Sequence, residues 1–127
     1  MRRFEFDTVL LALNCADRQR LPFIDTVLPE AAAQNMGAIA MKVYAQGMLL
    51  RGSGITAPEA LGYVLSAEGV STAIIGCCTP EEVDQNARIA RGFAGLDKRT
   101  RQELEQRTAP GAATFTAYKK SPLISLE

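Results

Sequence analysis

The order of apolar runs constrains this chain more than any other feature. Phe6 to Leu13, Ala38 to Val43 and Val70 to Ile75 are short and dominated by aliphatic and β-branched residues. The first reads as a buried strand, the second as a shorter one of flatter pattern, and the third as a strand buried on both faces. Each precedes a stretch with helical spacing of apolar residues. The first stripe is Phe23, Ile24, Val27, Leu28 and Ala31; the second is Leu61, Val64 and Leu65; the third runs through Val83, Ile89 and Ala90. Strands alternating with helices of this length imply right-handed βαβ units and parallel pairing. The pattern predicts strands at about 7–13, 38–43 and 71–75, and helices near 22–34, 57–67 and 80–93. The fold class is therefore α/β.

The junctions between these elements carry the specific signals. Thr72 to Asn86 reads as strand, tight loop and capped helix start. Gly76 ends the strand, Thr79 is placed as N-cap, Pro80 sits at the first helical position and Glu82 completes a capping box. Glu82, Gln85 and Asn86 then share one helix face beside the positive helix end. A glycine loop leading into a helix N-terminus is suited to anions, although an ordinary well-capped junction has the same spacing. Thr56 and Glu59 form a second box around Pro58. Between the second strand and that helix, Tyr44 to Gly54 reads as a loop longer than the usual roughly 2–6 residues, which hints at function. Cys15 to Arg20 reads as a polar loop.

With 127 residues the chain fits one domain. Lys plus Arg and Asp plus Glu number 14 each, so no field for nucleic acid or an anionic membrane is implied. Histidine is lacking, which removes the commonest general base and metal ligand. Cys15, Cys77 and Cys78 make no even disulfide framework, and a cytoplasmic location is expected. Arg2 and Arg3 before an apolar run superficially suggest a leader, but Glu5, Asp7 and Asn14 interrupt it. Beyond Gly95 the pattern changes. Residues 98–109 read as a solvated helix anchored by Leu104, and 110–127 as a poorly ordered tail unless it docks.

Four segments together resemble the C-terminal part of the aldo/keto reductase family. They are Phe6-Asp7-Thr8-Val9-Leu10-Leu11-Ala12-Leu13-Asn14, Gly37-Ala38-Ile39-Ala40-Met41-Lys42, Ala60-Leu61-Gly62-Tyr63-Val64-Leu65-Ser66, and Ile74-Ile75-Gly76-Cys77-Cys78-Thr79-Pro80-Glu81-Glu82-Val83-Asp84-Gln85-Asn86. The resemblance is collinear over about residues 4 to 97. It implies a (β/α)₈ barrel with these segments as its sixth to eighth strands and their helices, residues 1–97 being a partial barrel. It also implies reduction of aldehydes and ketones with NADPH or NADH. The family positions near the nicotinamide and pyrophosphate fall on Met41, Lys42, Val43, Tyr44 and Gly47. Those near the adenosine fall on Gly76, Cys77, Glu82, Gln85 and Asn86. Many members place Lys or Arg where this chain has Gly76 and Glu82, and Glu82 would repel a 2′-phosphate unless it turned into its capping role. Many also place Tyr at Met41 and Gln at Leu10.

The family's catalytic Asp, Tyr, Lys and His belong to earlier strands and have no counterpart here, so no catalytic residue is assigned. Two functions remain in view. One is the cofactor-binding portion of a reductase, inactive alone. The other is a non-catalytic module that completes a barrel with a partner chain or self-associates through open sheet edges. Individual residues carry plainer alternatives. Cys77 and Cys78 suit a thiol site or a tight loop of small residues. Lys42 suits a phosphate contact or a solvated strand end. Asn14 suits a cofactor contact or a closed turn.

Overall fold

The computed structural model describes residues 4–119. Strand β1 spans Thr8–Ala12, helix α1 Phe23–Ala33, β2 Gly37–Met41, α2 Met48–Gly52, α3 Ala57–Leu65 and β3 Val70–Ala73. Helix α4 spans Pro80–Arg91, α5 Lys98–Thr108 and α6 Ala112–Phe115, with single 3₁₀ turns at Asp17–Gln19 and Ala109–Gly111. The strands form one parallel sheet in the order β1-β2-β3. This is the expected α/β arrangement, with each strand ending one or two residues earlier than expected and β2 and β3 beginning one residue earlier. The stretch read as a long loop, Tyr44 to Gly54, contains α2.

Register sorts the side chains onto two faces. Leu11 and Ala40 are partners, as are Val9 and Ala38 and Ala40 and Ala73, and these residues point toward the helices. Leu13, Leu28, Val43, Leu49, Leu61, Tyr63 and Val64 complete that core. Leu96 packs its side chain over α3 at Gly62. The opposite face carries Leu10 beside its partner Ile39, then Thr72 and Ile74. Among the described residues nothing covers it: Leu10 is 52% exposed and Ile74 54%.

This corrects the expectation that β3 is buried on both faces. Its burial runs intermediate, exposed, exposed, intermediate. Three strands leave β3 and β1 as edges and leave one face without a second layer, which a local apolar pattern cannot reveal.

The C-terminal segment also differs from expectation. Residues 109–119 are structured and dock on the end of β1, while 120–127 lie outside the described residues. Phe115 and Thr116 are buried. Asn14 Nδ2 lies 3.2 Å from Phe115 O, 3.2 Å from Lys42 O and 2.6 Å from Tyr118 Oη, so its two hydrogens serve three acceptors. Asn14 Oδ1 accepts from Ala16 N at 2.9 Å. Lys119 pairs with Asp17, donates to Leu21 O at 3.0 Å and sits 4.3 Å above the Phe23 ring. Thr108 Oγ1 donates to Cys15 O at 3.0 Å. Cys15, Ala16 and Asp17, read as a polar loop, are consequently buried. The helix read as solvated, α5, buries Leu104 and Thr108 and leaves most of its charges in water.

Candidate functional site

A cleft of about 570 Å³ opens where β2 and β3 end. One wall is the segment from Met41 to Arg51 and the other is Ile74 to Gly76 with the first turns of α4. The C-terminal ends of parallel strands are where α/β proteins gather functional groups, and the volume is that of a small-molecule site.

The β2 wall is held in unusual backbone. Lys42, Ala45, Gln46 and Gly47 take φ of 59°, 48°, 58° and 82°. Left-handed backbone costs about 1–2 kcal/mol at a residue with a Cβ. Bonds from Ala45 N to Lys42 O (2.9 Å), Gly47 N to Tyr44 O (2.9 Å) and Leu49 N to Tyr44 O (3.2 Å) hold this double turn. Gly47 suits its positive φ of 82°, where a residue with a Cβ would be strained; the nearby Arg51 guanidinium is a flexible side-chain end that could move aside. The turn delivers two cations, Lys42 and Arg51, to the cleft. Among the described residues the Lys42 ammonium has no polar partner, and the Arg51 guanidinium reaches Gln46 O at 3.5 Å.

A chain of side chains joins the two walls. Tyr44 Oη donates to Asn86 Oδ1 at 2.6 Å, and Asn86 Nδ2 lies 3.4 Å from Cys77 Sγ. Burial, followed by the proximity of Cys77, pushes the Tyr44 phenol up to about 12, so it holds its proton throughout the neutral range. Cys77 Sγ is 3.7 Å from Ile75 O and points into this network rather than into the cleft. Cys78 is exposed and lines the cleft.

The start of α4 departs from a simple capping box. Thr79 Oγ1 accepts from Glu82 N at 3.3 Å, as expected. The Glu82 carboxylate, however, accepts from Cys78 N at 2.6 Å, one residue before the N-cap. The helix end read as suited to anions therefore already holds an internal carboxylate. At α3 both arms of the box are present, with Glu59 N 3.4 Å from Thr56 Oγ1 and Thr56 N 2.8 Å from Glu59 Oε2.

Met41, Lys42, Val43, Tyr44, Gly47, Gly76, Glu82, Gln85 and Asn86, all singled out from the sequence, line this one cleft. Cys77 touches it only through Asn86. Asn14 faces away and closes its turn on the C-terminal segment. Leu50, Arg51, Ala57 and Ile74 were not singled out, yet they line it too. The length of the Tyr44 to Gly54 stretch was the one signal pointing toward Arg51.

Sheet, helices and cleft together define part of a (β/α)₈ barrel, left open. The fold is similar to that of aldo-keto reductase AKR11C1 from Bacillus halodurans in its holo form, with a TM-score of 0.65 and 18% sequence identity. The likeness covers 84% of this chain and 44% of that one, so this chain spans less than half the length of the protein it matches. At that identity the likeness establishes the fold. No protein-family model matches the chain, and no curated protein does.

Proposed function

We propose that this chain is the nicotinamide-nucleotide-binding portion of a barrel that reduces aldehydes or ketones in the manner of the aldo/keto reductases. One observation carries the reading. A cleft at the strand ends has two cations that form no ion pair among the described residues, Lys42 and Arg51, on one wall and two amides, Gln85 and Asn86, on the other. That donor set suits a dinucleotide. The cations would meet the diphosphate, the amides the adenine, and Met41 with Tyr44 would flank the nicotinamide. When bound, the nucleotide supplies hydride. The residues of this chain orient it and offer a carbonyl no free hydroxyl, since Tyr44, which carries the cleft's hydroxyl, already donates to Asn86. Negative charge building on a carbonyl oxygen would go unmet. Free cysteines fit a cytoplasmic setting. Among the described residues no helix is long and apolar enough to cross a membrane.

The test is titration of the full chain with NADH and with NADPH, followed by calorimetry, and then an assay of nucleotide oxidation with small aldehydes. Binding without turnover is expected. Failure of both nucleotides to bind at millimolar concentration would remove the reading. Turnover that co-purifies with the chain and is lost in Tyr44→Phe would show that it holds its own acid.

The bare sheet face favours a second reading, a module completed by a partner chain or by further copies of itself. Exposed Leu10 and Ile74 on an open parallel sheet are what such a role needs.

A further inference from the structure

We infer that Asn14 is a positioning residue for this cleft: it ties the docked C-terminal segment to the carbonyl of Lys42, so that the seating of residues 109–119 sets the wall that carries both cations. The inference rests on the cofactor reading above for the ligand that tests it. Lys42 O is where three parts of the chain meet. It accepts from Ala45 N at 2.9 Å, the first bond of the double turn, and from Asn14 Nδ2 at 3.2 Å. Lys42 itself is left-handed, with φ of 59°. The strain of such backbone is of the same order as one hydrogen bond, so the bonds to this carbonyl decide whether the conformation is kept.

The Asn14 amide has one orientation open to it. It is fully buried. Its Oδ1 holds Ala16 N at 2.9 Å, which turns Nδ2 toward Lys42 O, Phe115 O and Tyr118 Oη. A flipped amide would press its oxygen against two carbonyls. The C-terminal segment reaches the same wall by a second route. Helix α6, which carries Phe115, packs against α2, which carries Arg51. The segment is fixed at both ends, by Thr108 on Cys15 O and by Lys119 on Asp17. Asn14, Phe115 and Tyr118 do not line the cleft, so their influence on a bound nucleotide passes through Lys42 and α2. Without that seating the double turn is free to relax toward ordinary backbone, and the ammonium and guanidinium lose their aim.

The experiment measures native-state amide exchange and NADH binding in the full chain, for wild type, Asn14→Ala, Tyr118→Phe and Thr108→Val. The amides of Ala45, Gly47 and Leu49 report on the double turn, and Ile74 N, bonded to Ala40 O at 2.8 Å, reports on the sheet. In Asn14→Ala the turn amides should speed up about 3- to 10-fold relative to Ile74, and the NADH dissociation constant should rise by a similar factor, as for one lost hydrogen bond. Tyr118→Phe removes a hydroxyl alone and should move both readings in the same direction by about twofold; it carries the test if Asn14→Ala does not fold. Thr108→Val loosens the start of the same segment without touching the Asn14 amide, and should lower the urea midpoint while leaving the turn-to-sheet ratio unchanged. Turn amides that keep pace with Ile74 in Asn14→Ala, or in Tyr118→Phe where only that variant folds, overturn the inference. So does a ratio that Thr108→Val moves as far as Asn14→Ala does, and so does a shifted ratio with NADH affinity unchanged. A shifted ratio with no NADH binding even by wild type removes the cofactor reading and leaves Asn14 as the residue that sets the turn.

Discussion

Each of the three tyrosines is held as a protonated phenol by its surroundings. Burial is the largest cause in every case. Tyr44 adds the proximity of Cys77, Tyr63 a bond to the Glu105 carboxylate at 2.7 Å, and Tyr118 the nearby charge of Asp17. All three phenols lie above their ordinary value, Tyr44 at about 12. A folded pKa raised above the unfolded one gives stability that is complete below the unfolded value, about 10, and is lost as pH climbs toward the folded value. Tyrosinate absorbance should therefore be absent from the native chain at pH 10 and should appear with unfolding at higher pH. A single tyrosine titrating near pH 10 in the folded protein would contradict these placements. Thiols give an independent check. Burial pushes Cys15 up to about 12, whereas Cys78 is exposed. An aromatic disulfide reagent should label Cys78 first and Cys15 only on unfolding.

The elements were legible in the sequence where their causes are local. Thr56, Pro58 and Glu59 mark the start of α3 because capping is decided within one turn. The alternation of runs implies parallel pairing for a similar reason. The docking of residues 109–119 was not legible. Phe115 and Tyr118 carry no periodicity, and the polar groups that hold the segment, Asn14 and Asp17, are a hundred residues away. Arg51 escaped notice because no local pattern separates it from a surface arginine. The bare face escaped because strand burial depends on neighbours outside the strand. The docked segment makes a sharp energetic prediction. Lys119 and Asp17 are 4% and 1% exposed, and burial raises the Asp17 carboxyl against the opposing pull of Lys119. Lys119→Ala strands a buried acid and should cost about 3–5 kcal/mol in urea unfolding. The double variant Asp17→Asn, Lys119→Met should cost less than the single one. A loss under about 1 kcal/mol for Lys119→Ala would mean that the segment is not held by this pair.

At the scale of the whole molecule, the open sheet dominates behaviour in solution. Parallel sheets are ordinarily covered on both faces, and among the described residues this one presents Leu10 and Ile74 to water beside two unpaired edges. The purified chain should therefore sediment with a mass that rises with concentration. Leu10→Glu with Ile74→Lys should suppress this without unfolding the chain, since both sites are exposed and surface changes usually stay within about 0.5 kcal/mol. A wild-type chain that stays monomeric at every concentration, with no uptake of a hydrophobic dye, would show that the face needs no cover.

The bond from Asn14 to Phe115 O spans 101 residues, and the Asp17–Lys119 pair spans 102. During synthesis, β1 leaves the ribosome well before the partners that seal its end. Until then Asn14 and Asp17 must stay hydrated, so the end of β1 cannot close over Cys15 and Ala16. The three strands and α1 to α4 can form in sequence as they emerge, but the final closure waits for residues 115–119. A ribosome stalled after α5 would hold a sheet that is bare on one side and unsealed at one end, a form suited to capture by a chaperone.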